Sequence, residues 1–380
     1  MNFAKSHVTG LRLDLQRSPF PIAGVSTEIS LSRPVAQSTP TCTHSGEHIK
    51  RLFPATDFVT GHKFEIARCQ NCGLAMTTPQ PAPSEIGSYY PVGYYGALGA
   101  RRFPWMVEVL QNALYRHRVK TVERISEKRR GRVLDVGCGR GWLLQQFRKA
   151  GWDVHGTELS EQAARYGREA LGLPIETGSL EDVSFPANHF DAITMWHVLE
   201  HVPEPAVMLK EVCRVMKPGG VLLVSVPNFG GVEARFFKDK WFHLDVPRHV
   251  THLSSKTLRA ALNEAGFLDV HWSGLTPEYD SFSFVQSALN KCGLHHNLLY
   301  DLLRGKRAKV INGKATPVWQ IAASVILGAV FGVVSLPVTL LAGLFGQGGT
   351  TTVLAVKGAR AEAGAWEVIT ETARARWAQG

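Results

Sequence analysis

The chain has 380 residues, with 42 Lys and Arg against 32 Asp and Glu and a formal net charge of +10. That length holds one large domain or two, and the ordinary apolar share supplies a sizeable core. The positive charge fits nucleic acid, an anionic membrane surface or only a basic tail, so it selects no partner by itself. Cys42, Cys69, Cys72, Cys138, Cys213 and Cys292 are scattered, and Met1–Gly10 lacks an apolar segment. No secretory signal peptide is therefore expected, and the thiols point to metal or plain burial in a reducing cytosol.

Residues 1–40 are rich in Ser, Thr and Pro with poor periodicity and read as a mobile leader. Residues 41–80 differ. Cys69-Gln70-Asn71-Cys72-Gly73 is a C-x-x-C knuckle, and Cys42-Thr43-His44 stands upstream. Cys42, His44, Cys69 and Cys72 make a Cys₃His set suited to tetrahedral zinc. The pattern resembles the zinc-ribbon heads found before some bacterial methyltransferase domains. It departs from them where C-x-H replaces the first C-x-x-C, and His48 or His62 could take the place of His44. A relic without metal is the other reading.

Residues 81–131 read as linker and lid. Tyr89, Tyr90, Tyr94 and Tyr95 lie among Pro and Gly, either as an aromatic lid or as a packed linker. Val107, Leu110 and Leu114 then fall on one face of an expected amphipathic helix.

Residues 132–275 alternate strand and helix. Val133–Val136 read as a buried strand, followed by Gly137, Gly139 and Gly141 and a helix from Leu143. Glycines permit positive φ and close approach of a ligand. A second strand, Asp153 to Glu158, ends in an acid about 20 residues beyond the glycine turn, where a carboxylate can accept ribose hydroxyls. Further strands are expected at 174–177, 190–195, 221–226 and 268–275, with helices capped near Ser160 and Ser254 or Ser255. Repeated units of this kind imply an α/β fold, a doubly wound, mostly parallel sheet with helices on both faces.

The pair Asp135 and Glu158, with this glycine spacing, resembles the class I S-adenosylmethionine-dependent methyltransferases over residues 132–267. The resemblance implies a seven-stranded Rossmann-like sheet and S-adenosyl-L-methionine as cofactor. It assigns cofactor contacts to Asp135, Gly137, Cys138, Gly139, Gly141, Glu158, Leu159, Ser179, Leu180 and Trp196. At Ser179 the family often has an acid for the adenine amino group, so here the Leu180 backbone, Glu181 or Asp182 would serve.

Trp196-His197-Val198-Leu199-Glu200-His201 resembles the corresponding segment of ubiquinone-pathway O-methyltransferases. On a helical turn His197, Glu200 and His201 would share a face. His201 or His197 as general base, a divalent metal and a structural role all stay open. In Asp245–His252, His249 is a further base candidate and Arg248 a holder of an anionic substrate, unless either ties the loop to Glu200. Trp241 and Phe242 line an acceptor pocket or belong to the core.

Residues 276–350 form an insertion. Ile321–Phe345 carries no charge, and as a straight helix of roughly 37 Å it would cross a bilayer. Arg304, Lys306, Arg307, Lys309 and Lys314 precede it, a flank suited to anionic lipid at the cytoplasmic face. Residues 351–380 hold the last strand and a tail. That strand must return to the sheet, so a re-entrant or monotopic helical hairpin dipping into one leaflet and turning near Pro337 or Gly343 is expected, with 284–303 as amphipathic companion; a buried soluble pair is the alternative. The expected activity is methyl transfer to an oxygen of a small or lipid-linked acceptor, a glycolipid or polysaccharide intermediate, at the inner membrane face. An RNA methyltransferase and a catalytically silent membrane scaffold compete. The missing Asn/Asp-Pro-Pro-aromatic and Pro-Cys signatures argue against nucleic acid.

Overall fold

The computed structural model describes residues 42, 46–90, 105–127, 130–304, 310–311 and 314–358. The leader, His44, Tyr94, Tyr95, Lys306, Arg307, Lys309 and the tail beyond 358 lie outside the described residues. The strands are β1 (Ile49–Thr56), β2 (Lys63–Cys69), β3 (Ala75–Thr78), β4 (Arg132–Val136), β5 (Asp153–Glu158), β6 (Ile175–Thr177) and β7 (Phe190–Trp196). β8 (Met216–Pro227), β9 (Thr251–His252), β10 (Phe267–Ser273), a small ribbon of β11 (Val310–Ile311) and β12 (Lys314–Ala315), and β13 (Thr350–Lys357) follow.

The main sheet has seven strands in the order β10-β13-β8-β7-β4-β5-β6. The five from β8 to β6 are parallel, and β13 runs antiparallel to both β8 and β10. This is the doubly wound sheet expected from the alternation. Side chains alternate across it, as the pleat requires. Leu134, Val136, Ile193, Met195, Leu222 and Val224 join one core. That core also takes α6 (Pro205–Val215) and α8 (Ser255–Glu264). Val133, Ala192, Val221 and Leu223 join the other core. There they meet α2 (Trp105–Ser126), α3 (Trp142–Lys149) and α4 (Glu161–Leu171). Two short helices, α1 (Pro83–Ile86) and α5 (Leu180–Val183), lie between these elements.

The face of α2 differs from the expected one. Leu110 is exposed, whereas Val119, Val122 and Ile125 enter the core, with Arg118 buried beside them.

The amino-terminal strands form a second, antiparallel sheet in the order β1-β2-β3-β9. Its last strand comes from the methyltransferase-like region: Ala75 pairs with His252 and Met76 with Thr251. Arg248 locks the two parts together. It is fully buried, ion-paired to Asp57 and Asp245, and donates to the carbonyl oxygens of Tyr89 and Val246. It is thus a tie between chain segments and has no free guanidinium face for an anionic substrate. Trp241, 1 % exposed, belongs to the core around Phe229 and Phe237.

The expected hairpin is absent. After α7 (Val232–Phe237), α9 (Pro277–Lys291) and α10 (Leu298–Leu303), one continuous helix, α11, runs from Val318 to Leu344 straight through Pro337. A proline removes one intrahelical hydrogen bond. Near it the Ser335 and Thr339 hydroxyls bond to the Gly332 and Ser335 carbonyls, and the helix carries on. The companion segment is two helices rather than one, broken between Cys292 and Asn297. α11 is long and apolar enough to cross a membrane, with mean hydropathy 2.4, yet only 11 % of that window is buried. A core helix of a soluble protein would be mostly covered.

Candidate active site

The glycine turn joins β4 to α3, and Gly137, Gly139 and Gly141 all take positive φ. At Gly137 a Cβ would lie 2.6 Å from Val198 Cγ2, so only glycine lets the segment after β7 close over the turn. At Gly139 a Cβ would meet nothing within 4 Å, which leaves the loop open on its outer side. Glu158, at the end of β5, accepts from the backbone N–H of Gly139 (2.8 Å) and of Ser160 (2.8 Å). Its carboxylate is buried and turned to the loop, not to bulk water. Burial raises its pKa, against the pull of those backbone donors.

Asp135 is 3 % exposed and accepts from Thr194 Oγ1 at 2.5 Å. Burial pushes it up to about 7, although the Thr194 hydroxyl and the charge of Arg118 work the other way. Arg118 stands 3.5 Å over the Trp196 ring. The Trp196 indole N–H is buried without a partner among the described residues. Leu159 is 74 % exposed at the rim, as a nucleoside platform requires. Ser179 caps α5 in a reciprocal pair with Asp182, and the Leu180 side chain is fully buried, so only its backbone can face a ligand. Cys138 packs its sulfur against Gly156, where a Cβ would lie 2.8 Å away.

The segment after β7 is not a helical turn bearing three groups on one face. His197 takes φ 56, a left-handed value that is strained for a branched-ring residue, and a single turn follows at Leu199–His201. His197 Nδ1 meets Glu200 Oε1 at 3.0 Å. Glu200 is 2 % exposed. Burial alone would raise its pKa, but the bond from His197 and the fields of His197, His249 and His201 bring it to about 2. An ionised Glu200 accepts from a hydrogen-bearing Nδ1, so in the neutral ring the lone pair of His197 falls on Nε2. That atom is buried and has no partner among the described residues. His243 stacks on His197 at 5.8 Å, and Tyr279 tilts against it at 4.6 Å.

His201 faces the other way, to the 245–250 loop. Its Nδ1 bonds to the Arg248 carbonyl at 2.9 Å, and Nδ1 of His249 bonds to the His243 carbonyl at 2.8 Å. A carbonyl only accepts, so both rings carry hydrogen on Nδ1, and in the neutral form the lone pair of each falls on Nε2. Burial lowers His249 to about 4 and keeps it neutral. Glu200, His201 and His249 each offer a ligand atom within 4.8 Å of the others. Two imidazoles and a carboxylate, oriented by backbone carbonyls, suit a first-row divalent cation. His249, not His197, completes that set.

Residues 110–271 match the methyltransferase-domain family. The chain carries a class I S-adenosylmethionine-dependent methyltransferase domain. It is 34 % identical over 116 residues to the ubiquinone biosynthesis O-methyltransferase of Coxiella burnetii (strain Dugway 5J108-111), covering 29 % of this chain and 50 % of that one. It is 31 % identical over 175 residues to a protein of Mycolicibacterium smegmatis named as a probable S-adenosylmethionine-dependent methyltransferase, covering 44 % and 64 %. The chain thus spans about half to two thirds of the length of these curated relatives. Among solved structures, geranyl diphosphate C-methyltransferase from Streptomyces coelicolor A3(2) gives a TM-score of 0.44 at 14 % identity, over 70 % of this chain and 88 % of that one.

Within the methyltransferase domain the glycine turn, Asp135 and Glu158 fit S-adenosylmethionine: a cradle open at Gly139, with buried acids at its two ends. Arg118, His243 and Tyr279 were not singled out from the sequence. Arg118 lies on a helix more than a dozen residues before the glycine turn, and Tyr279 lies beyond the methyltransferase match, so neither belongs to a local motif. Outside the methyltransferase domain, Cys42, Cys69 and Cys72 bring their sulfurs within 4.8 Å of one another. Three thiols so placed fit zinc with one position left. Among the described residues no histidine joins them, and His62 is engaged with the Tyr89 hydroxyl at 3.2 Å.

Proposed function

We propose that the chain transfers a methyl group to an oxygen of a small or lipid-linked acceptor at the cytoplasmic face of the inner membrane. The observation that carries the chemistry is the unpartnered Nε2 of His197, held in the correct tautomer by a buried, ionised Glu200. When bound, the cofactor supplies an electrophilic methyl on a sulfonium whose charge is lost on transfer. The glycine turn and Glu158 hold its sugar, and Trp196 walls the site. His197 Nε2 takes the acceptor hydroxyl proton, and Glu200 stabilises the imidazolium that results, the division of labour of a base and its orienting acid. His201 and His249 fasten the 245–250 loop over Glu200, either alone or around a cation. The exposed apolar length of α11 motivates the membrane location and the lipid-linked acceptor.

In this reading residues 41–80 are an access-shaping module with a structural zinc on Cys42, Cys69, Cys72 and His44. Residues 132–275 are the catalytic core and 276–350 the membrane-associating insertion. The deciding experiment offers methyl-labelled cofactor to membrane-lipid and RNA fractions, with wild type and His197→Gln. Label in lipid, lost in the variant while S-adenosylhomocysteine still binds, supports the reading. Label in RNA overturns the acceptor class, and an unaltered rate in the variant overturns the base.

A further inference from the structure

The polarity of α11 is reversed relative to a helix packed in water. Its four polar side chains, Gln320, Ser324, Ser335 and Thr339, are all buried, from 0 % to 9 % exposed. Ile326, Val330, Val333, Leu336, Leu340 and Leu344 are 49 % to 73 % exposed. At 3.6 residues per turn the polar four fall within about 100° of arc, and the apolar six fall within about 120° on the opposite side. A surface helix of a soluble domain turns its apolar stripe inward. Here Leu327 and Phe331 do pack inward, but no polar side chain points out.

The inward face is tied to one globular body along its whole length. Gln320 accepts from the His295 backbone at 3.0 Å. A Cβ on Gly328 would lie 3.1 Å from Leu299, and a Cβ on Gly343 would lie 2.7 Å from Leu275. The Ser281 and Thr339 hydroxyls meet at 3.3 Å. Beyond the helix Gly348 accepts from the Asn228 side chain, and the chain enters β13 in the main sheet. A crossing helix would have to drag α9, α10 and the edge of the sheet into hydrocarbon.

We infer that α11 lies flat in the headgroup and acyl boundary of one leaflet, as a monotopic helix, and that its occupant is an anionic phospholipid bilayer. Both ends stay on the side of the catalytic domain. Arg304, Lys306, Arg307, Lys309 and Lys314 precede the helix within 15 residues of sequence and add charge attraction. This inference rests on the membrane-face reading above, but its readouts are binding and topology, not turnover.

α9 gives the geometry its consequence for the site. Tyr279 touches His197, and Ser283 donates to the buried Glu233, while Ser281, Val285 and Leu289 of the same helix meet α10 or α11. One helix thus separates the bilayer from the acceptor side, within reach of a headgroup whose tail stays in lipid.

The test uses the full chain added to preformed vesicles of neutral phospholipid, with and without anionic phospholipid. Flotation is expected on the anionic vesicles and weakened by salt. Val333→Lys with Leu336→Lys is expected to lower partitioning on the order of a hundredfold. Retained S-adenosylhomocysteine binding shows that this variant folds. For topology, Pro317→Cys and Gln347→Cys, which flank the helix at its two ends outside the apolar face and are not buried in the wild type, are labelled from outside with a membrane-impermeant thiol reagent. Labelling of both, above the wild-type background, supports the flat seat. Protection of either one behind the bilayer overturns it in favour of a crossing. Absence of flotation, with a concentration-dependent dimer that the double-lysine variant abolishes, overturns it in favour of a second copy of the chain.

Discussion

The cofactor cradle after β4 and the proposed acceptor side after β7 are finished to different degrees. In the cradle Glu158 is held by two backbone N–H groups and Asp135 by Thr194, so their carboxylates already have protein partners. On the proposed acceptor side Nε2 of His197 and His243 and Oε2 of Glu200 are buried without a partner among the described residues. Buried polar atoms are rarely left unpaired. The difference teaches which half is set by the chain alone and which is completed by what it binds.

The sharpest way to break that comparison is at Glu200. Glu200→Gln removes the charge that fixes His197, and methyl transfer is expected to fall by roughly 10²–10⁴. S-adenosylhomocysteine affinity, measured by calorimetry, should stay within a factor of about two; a parallel loss of both would merge the two halves into one. Next in size is Arg248→Met, which strands Asp57 and Asp245. A buried pair broken on one side costs about 3–5 kcal/mol, read as a lower melting temperature with loss of the β3–β9 pairing. An unchanged melting temperature would deny the tie.

Glu158→Gln probes the finished half. Loss of charge-assisted bonds is expected to weaken S-adenosylhomocysteine about tenfold to a hundredfold, with little change in stability. Equal affinity in both proteins would remove the cofactor assignment. The smallest effect concerns Glu233, a carboxyl outside both halves. Burial pushes it from 4.5 to about 8, with Asp280 adding to the rise and the Ser283 and Trp241 donors opposing it. Its folded pKa lies above the unfolded one. Its contribution to stability is therefore full below about 4.5 and drains away as pH rises through about 8. Glu233→Gln should flatten that decline and raise the melting temperature by a few degrees at pH 9. Parallel melting curves across pH would show that the carboxyl is not neutral in the fold.

What the sequence disclosed follows from distance along the chain. The glycine turn, Asp135 and Glu158 lie within 24 residues, and their strand-turn-helix-strand context is local, so both the cradle and the parallel sheet could be read directly. The histidine groupings could not. His197, Glu200 and His201 look equivalent at helical spacing, but a left-handed backbone at His197 splits them, and the partners His243, His249 and Tyr279 arrive from other elements. Arg248 carries a charge that a sequence reads as a ligand, whereas Asp57, 191 residues away, makes it a rivet. α11 was legible as apolar but not in shape. A return to the sheet demands a turn only if the helix crosses the membrane, and one lying along the body returns without turning.

The β3–β9 pairing has a consequence for how the chain is made. Thr77 and His252, which bond across it at 3.0 Å, are 175 residues apart. A ribosome adding ~5–20 residues per second spends roughly nine to thirty-five seconds on that interval. For that time the amino-terminal sheet is outside the exit tunnel with the rim of β3 bare, an invitation to stray strands. Closing it is a late event of biogenesis, and a truncation before residue 251 leaves that rim open for good.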